Sequence, residues 1–275
     1  MKTGSGLLTI AANNHTFTGD ITINGGELAV PSNNGAAGDP NALGGGSKFV
    51  YLNNGASFRP TSTMNPTASN VKMFNILAGG GTFNVPTGVN FVLDDNTGTN
   101  AQLQGAGTLT KSGVGTLQLG YSGQVAGGFS NFAGNIIVQA GILQAGNKWA
   151  LGTTNGTMTV QAGGTLDFYS TGSTNEEVIT VNGVGANALG ALQNSSGNGV
   201  TLLGSVTLAG NSGIGGSGGG GLVLGGVVTG AFTLIKTGSG VLTLYGTNTY
   251  SGGTIISNAG VVVIQELSDS GPSGI

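Results

Sequence analysis

The sequence predicts an all-β solenoid. Three observations carry that prediction: a phrase that recurs three times, short runs of alternating apolar residues, and chain breakers suited to corners. The phrase is Lys2-Thr3-Gly4-Ser5-Gly6, Lys111-Ser112-Gly113-Val114-Gly115 and Lys236-Thr237-Gly238-Ser239-Gly240. Each copy runs at once into an alternating stretch, Leu8-Thr9-Ile10, Leu117-Gln118-Leu119 or Leu242-Thr243-Leu244. Each then reaches an aromatic, a small residue and a glycine: Phe17-Thr18-Gly19, Phe132-Ala133-Gly134 and Tyr250-Ser251-Gly252. A second strand-like run closes the copies at Leu28, Leu143 and Val262. Stacked copies bury a core that one copy cannot bury alone, so such a repeat specifies an architecture. Equivalence across copies places Leu8, Leu28, Leu117, Leu119, Leu143, Leu242, Leu244 and Val262 in one continuous core.

The copies are 111 − 2 = 109 and 236 − 111 = 125 residues apart, too long for one rung, so several rungs fill each interval. Period-two alternation marks further strands at Ile21-Thr22-Ile23, Phe49 to Leu52, Phe91-Val92-Leu93 and Met158-Thr159-Val160. It continues at Val178 to Val181, Val200 to Leu203, Val206-Thr207-Leu208 and Leu222-Val223-Leu224. Asn-Gly follows at Asn24, Asn34, Asn54, Asn155, Asn182 and Asn198. Both residues accept a positive φ, which suits hairpins in an antiparallel sheet and corners in a coiled parallel one. The repeat favours corners, because equivalent strands stack on themselves and run parallel. The best helical segment, Pro40 to Gly44, amounts to one turn at most. Residues 31–46 and 60–71 read as protruding loops, and the glycine run 213–221 as either a close-packed strand or a corner.

Composition bounds the rest. Glycine supplies 57 of 275 residues, far above the usual level, yet the chain is 38% apolar and only 6% charged, the reverse of the disorder signature. A net charge of −3 gives no footprint for nucleic acid, and a lone arginine, Arg59, argues against bidentate phosphate or carboxylate recognition as a general mode. No cysteine is present, which removes disulfides, thiolate metal sites and thiol nucleophiles. No signal-peptide core and no membrane-spanning apolar stretch occurs. The chain opens inside its own repeated phrase, and the expectation is one solenoid over residues 1–275, an excerpt of a longer repetitive protein.

Residues 109–119, and 234–244 continuing through Tyr245 to Thr254, resemble the autotransporter-associated β-strand repeat of bacterial secreted and surface proteins. The copy at 236 is a close match and that at 2 a good one. The copy at 111 carries about six extra residues before Phe132. The resemblance implies a right-handed parallel β-helix, exported and displayed at the cell surface or released, with signal and anchor outside this segment. It implies no particular activity, because function on such stalks sits in insertions or separate domains.

Candidate site residues weigh little against their bland readings. Asp94 and Asp95 are adjacent, so on a strand they point to opposite faces, and capping the turn Asn96-Thr97-Gly98 fits them better than acid–base chemistry. His15 is the sole histidine and builds no triad or metal site, so a solvent-facing turn is its expected place. The match of Gly213 to Gly218 to a phosphate-binding pattern is what so glycine-rich a chain produces by chance, with no helix following. Lys2, Lys111 and Lys236 are expected as solvated turn residues. Phe17, Phe132 and Tyr250 are expected to pack at a corner of the core. Trp149 is the one aromatic set up to stack on a sugar if exposed.

The sequence therefore predicts no catalytic residue, no cofactor, no metal and no enzymatic activity. At 20–25 residues per rung it would form 11–13 rungs. The function expected is a structural extracellular stalk, fibre or adhesin-scaffold segment, its open ends covered by adjacent repeats or by other copies stacked end to end. A glycan- or receptor-binding adhesin acting through loops is the alternative, and a polysaccharide-cleaving β-helix enzyme ranks third.

Overall fold

The computed structural model describes residues 1–11, 15–31, 41–64, 72–93, 102–120, 130–169, 174–217, 219–257 and 260–265. The chain divides into two compact units, residues 1–137 with 149–156, and residues 138–148 with 157–275. Each is a coil of short strands, and every strand pair of defined register runs parallel. The protein is an all-β solenoid of about nine turns. Among the described residues the helical content is one 3-10 turn, Asn41–Leu43.

In the first unit one face stacks Ile21–Asn24 on Lys48–Asn53, then Lys72–Ile76, then Leu103–Gly105. A second face stacks Leu7–Thr9, Glu27–Val30, Ala56–Pro60, Gly81–Asn84 and Leu109–Ser112. Successive residues of a strand point to opposite sides, so each buried–exposed alternation lines up in columns. Leu28 sits on Phe58, Phe58 on Phe83, and Phe83 on Lys111. Phe58, Phe74, Phe83 and Phe91 are fully buried and meet largely edge to face. Phe74 and Phe83 are 5.1 Å apart at 89°, and Phe83 and Phe91 5.3 Å apart at 86°. Such pairs add about 0.5–1.5 kcal/mol each beyond the area they bury.

In the second unit Gly141–Ala145 stacks on Gly164–Phe168, and Met158–Val160 on Ile179–Gly183. Val206–Gly215 bends across two faces. Its first residues pair with Ile179 to Val181, and Ser212 to Gly215 pair with Leu234–Thr237, with a register shift between Val181 and Gly183. A third face stacks Val200–Leu202, Leu222–Leu224, Val241–Leu244 and Val261–Ile264. The glycine run thus begins as strand, and its bare backbone lets rungs close up: a Cβ on Gly215 would fall 1.9 Å from the Thr237 carbonyl oxygen.

The rungs are less uniform than the sequence suggested. Leu222 to Leu242 is 242 − 222 = 20 residues and Leu28 to Phe58 is 58 − 28 = 30. Longer excursions between strands lower the count of turns below the expected 11–13. Asn-Gly does turn corners: Asn54 and Gly55 have φ of +54° and +66° between two strands of different faces. Of the equivalent core positions, Leu28, Leu117, Leu119, Leu143, Leu242 and Leu244 are buried. Leu8 is exposed and Val262 only half-buried, because each lies on a rung with a described neighbour on one side only.

The phrase itself depends on its first glycine. Gly4, Gly113 and Gly238 have φ of +75°, +72° and +65°, a region that disfavours side chains. At Gly113 a Cβ would also lie 2.3 Å from the Val85 carbonyl oxygen of the preceding rung, whereas nothing crowds Gly4. Gly113→Ala should therefore cost more than the roughly 1–3 kcal/mol of backbone strain alone, and Gly4→Ala no more than that. Denaturant titration of the two variants checks the order. Equal losses would show that rung packing does not set the glycine.

Candidate functional site

The outer surface of the third face of the second unit carries a recess. Period-two alternation points Thr201, Val223 and Thr243 outward in one row, in register across Val200–Leu202, Leu222–Leu224 and Val241–Leu244. Two residues further along lie Leu203, Gly225 and Tyr245. Leu203 and Tyr245 stay half-exposed while Gly225 leaves a notch between them. The recess has a volume of about 410 Å³ and is lined by Thr201, Leu203, Val223, Gly225 and Tyr245. The lining holds no charge. It offers one aromatic face, an aliphatic floor and hydroxyl groups, which suits contact with a neutral surface and supplies neither a nucleophile–base pair nor metal ligands. The sequence reading passed over this recess. Its signal was parity: Tyr245 follows the inward Leu244 and so had to face out.

The lysines of the phrase do not lie in solvent. Lys111 and Lys236 are fully buried, and Lys2 is half-buried. Each follows the strand's inward parity, since Leu109 and Lys111, or Leu234 and Lys236, lie two apart. The ammonium then bends onto the carbonyls of its own turn. Lys111 Nζ donates to Ser112 O at 3.0 Å and Gly113 O at 2.7 Å, and Lys236 Nζ to Thr237 O at 2.5 Å and Gly238 O at 2.8 Å. Lys2 Nζ repeats the pattern with Thr3 O and Gly4 O at 3.0 and 2.8 Å. Two lysines outside the phrase act alike: buried Lys48 donates to Phe17 O and buried Lys72 to Gly46 O, each at 2.6 Å. A buried ammonium is costly unless it is hydrogen-bonded, and a corner whose carbonyls turn inward needs a donor. The lysines meet both needs.

Burial pulls the Lys111 ammonium down to about 7 and lowers Lys236 as well. Glu177 is the opposite case. Burial, reinforced by the charge of Glu176, pushes its carboxyl up to about 7. Adjacent acids again face opposite sides, with Glu176 exposed and Glu177 buried. Buried Asp167 accepts from Gln144 Nε2 at 3.0 Å, from Ser195 N at 3.0 Å and from Ser195 Oγ at 2.7 Å, which ties Ser195 to the outer side of Gly164–Phe168. Arg59 is occupied too, its Nε lying 2.7 Å from Glu27 Oε1.

The remaining candidates scatter. Asp94 and Asp95 lie outside the described residues, as do most of loop 31–46 and residues 65–71. His15 is half-buried rather than solvent-facing. Its ring is 6.0 Å from that of Phe17, and its Nε2 is buried with no hydrogen-bond partner among the described residues. Phe132 and Tyr250 are buried as expected, but Phe17 is exposed, with Lys48 Nζ 4.2 Å from its ring centre. Trp149 is half-buried in the first unit. Gly213 to Gly215 belong to a strand and cradle nothing. No group of three or more His, Cys, Asp or Glu could hold a metal ion, and no helix is long and apolar enough to cross a membrane, among the described residues.

Parallel rungs, in-register columns and a lysine-capped corner define a β-solenoid built from a sequence repeat. The family model of the passenger-associated-transport-repeat matches residues 2–30, 109–145 and 234–264. The Adhesin BmaC autotransporter of Brucella suis biovar 1 (strain 1330) is 34% identical over 173 residues, covering 62% of this chain and 4% of the relative. The chain thus spans a small part of that relative's length. No solved structure matches.

The two buried charges give opposite pH dependences. Between about 7 and 10.5 the unfolded chain holds the Lys111 proton more firmly, so stability rises with pH in that window. Between 4.5 and about 7 the folded chain holds the Glu177 proton more firmly, so stability falls as pH rises there. Denaturant midpoints across pH should show a minimum near neutrality. Glu177→Gln should flatten the acid limb and Lys111→Met the alkaline one. Lys111→Met should also cost about 1–3 kcal/mol where the lysine is neutral, since Gly113 O loses its donor while Ser112 O keeps only Val85 N. A profile unchanged by either substitution would contradict these assignments.

Proposed function

We propose that this chain is a non-catalytic scaffold segment of an exported bacterial passenger region, a stalk at the cell surface that stacks end to end on adjacent repeats or on other copies. The observation that carries the reading is how equivalent repeat positions behave with described rungs on both sides and on one side only. Ile23 is fully buried beneath Leu52, while its equivalent Ile256 is 56% exposed. Leu117 and Leu242 are fully buried, while their equivalent Leu8 is 46% exposed. The outermost described rungs thus carry exposed apolar positions that their equivalents bury, on parallel strands of a register that a further rung can extend. The repeat family and the relative named an adhesin autotransporter support export and surface display.

A second reading, an adhesin contact, is favoured by the recess at Leu203, Gly225 and Tyr245. An uncharged groove with one exposed ring and nearby hydroxyls suits the apolar face of a surface glycan. Loss of glycan-array binding in Tyr245→Ala, with unchanged stability, would be its signature.

Sedimentation velocity tests the stacking. The wild-type chain should sediment faster as concentration rises, and the double substitution Leu8→Glu with Ile256→Glu should hold it monomeric. A wild-type chain that stays monomeric at every concentration would overturn stacking between copies.

A further inference from the structure

We propose that the structure sorts the described Asn-Gly corners into two that deamidate spontaneously, Asn155 and Asn198, and three that are protected, Asn24, Asn54 and Asn182. The reaction needs only water. The backbone nitrogen of the following glycine attacks the asparagine side-chain carbon, a C–N bond forms, and ammonia leaves with the proton. Water then opens the resulting succinimide to aspartate or to isoaspartate. Glycine favours the step because it has no Cβ to obstruct ring closure. Two things must be free: the glycine N–H and the asparagine side chain.

The protected sites lack one or both. Gly55 N donates to Gly79 O at 2.9 Å and Gly80 O at 3.1 Å, and Asn54 Nδ2 is held on Asn24 Oδ1 at 2.7 Å. That oxygen of Asn24 also accepts from Asn53 Nδ2 at 3.1 Å, which fixes the Asn24 amide from two sides. Asn182 and Gly183 lie inside the strand Ile179–Gly183, where Gly183 pairs with Ser212. The Asn182 side chain rests on Gly210, leaving no room there for even a Cβ.

Asn155 and Asn198 differ on each count. Both are exposed, neither side chain makes a hydrogen bond among the described residues, and the N–H groups of Gly156 and Gly199 are likewise free. Asn34, the sixth Asn-Gly, lies outside the described residues.

The two reactive sites have different consequences. Each conversion adds a carboxylate, so both together take the formal charge from −3 to −3 − 2 = −5. At Asn198 more is at stake, because its carbonyl accepts from Asn194 Nδ2 at 2.8 Å and from Ser196 Oγ at 3.0 Å. Asn194 Nδ2 also bonds Gly220 O at 2.7 Å and Gly221 O at 3.0 Å, so it clamps this turn to the next rung. An isoaspartate inserts a methylene into the main chain at 198, displaces that carbonyl and loosens the clamp. The corner beside the Val200–Leu202 strand thereby carries an ageing mark, whereas the same change at Asn155 touches no such bond.

Peptide mapping by mass spectrometry of the purified chain, aged in mildly alkaline buffer at physiological temperature, tests this. Asn155 and Asn198 should gain about 1 Da at least about tenfold faster than Asn24, Asn54 and Asn182, and denaturant should bring all five to similar rates. Gly199→Ala meets no neighbour and no positive φ, so it should fold normally and slow the reaction at Asn198 alone. Equal rates at all five sites in the folded chain would overturn the proposal, as would conversion at Asn198 undiminished by Gly199→Ala.

Discussion

In-register parallel hydrogen bonding between successive rungs is the constraint on which the rest of this molecule depends. Once Leu28, Phe58 and Phe83 must lie one above another, each position inherits the environment of its column rather than of its own segment. An inward column must be apolar or internally satisfied along its length. A corner column must be small enough for backbones to approach. The glycine content follows from that second demand. Gly113 and Gly238 combine a left-handed backbone with carbonyl oxygens of a neighbouring rung lying where a side chain would go.

The buried lysines follow from the first demand. The phrase turns the chain so that carbonyls at the corner face inward, within reach of the lysine ammonium. An inward lysine two residues after a leucine supplies the donor, and its aliphatic stem packs with the column while its ammonium bonds locally. This accounts for a chain with very few charges that places Lys48, Lys72, Lys111 and Lys236 inside. The charge is held by these local hydrogen bonds, so the fold tolerates the desolvation that lowers Lys111 and Lys236.

Much of this was legible in the sequence. Alternation located strands such as Ile21–Asn24, Lys48–Asn53 and Leu222–Leu224, and the repeat fixed that they stack parallel. What the reading lost came from assigning residues by type instead of by parity. Lysine reads as solvated, yet Lys111 shares the face of Leu109. Tyr245 was given no place, yet it shares the outward row of Leu203. The strand Gly164–Phe168 was harder to read, because the outward Asp167 is covered by Ser195, which no local pattern announces. Rung length was unreadable for a related reason: excursions between strands add residues without adding rungs.

The register itself is the central claim, and the absence of native cysteine makes it directly measurable. Thr82 and Thr110 face outward on adjacent rungs in register, and Ser112 lies two residues further along the same row. Under mild oxidation, the double substitution Thr82→Cys with Thr110→Cys should cross-link rapidly and completely, since in-register neighbours fall within disulfide reach. The offset pair Thr82→Cys with Ser112→Cys, about 7–8 Å apart, should cross-link slowly. Faster cross-linking of the offset pair, or none in the aligned pair, would contradict the stacking on which this account rests.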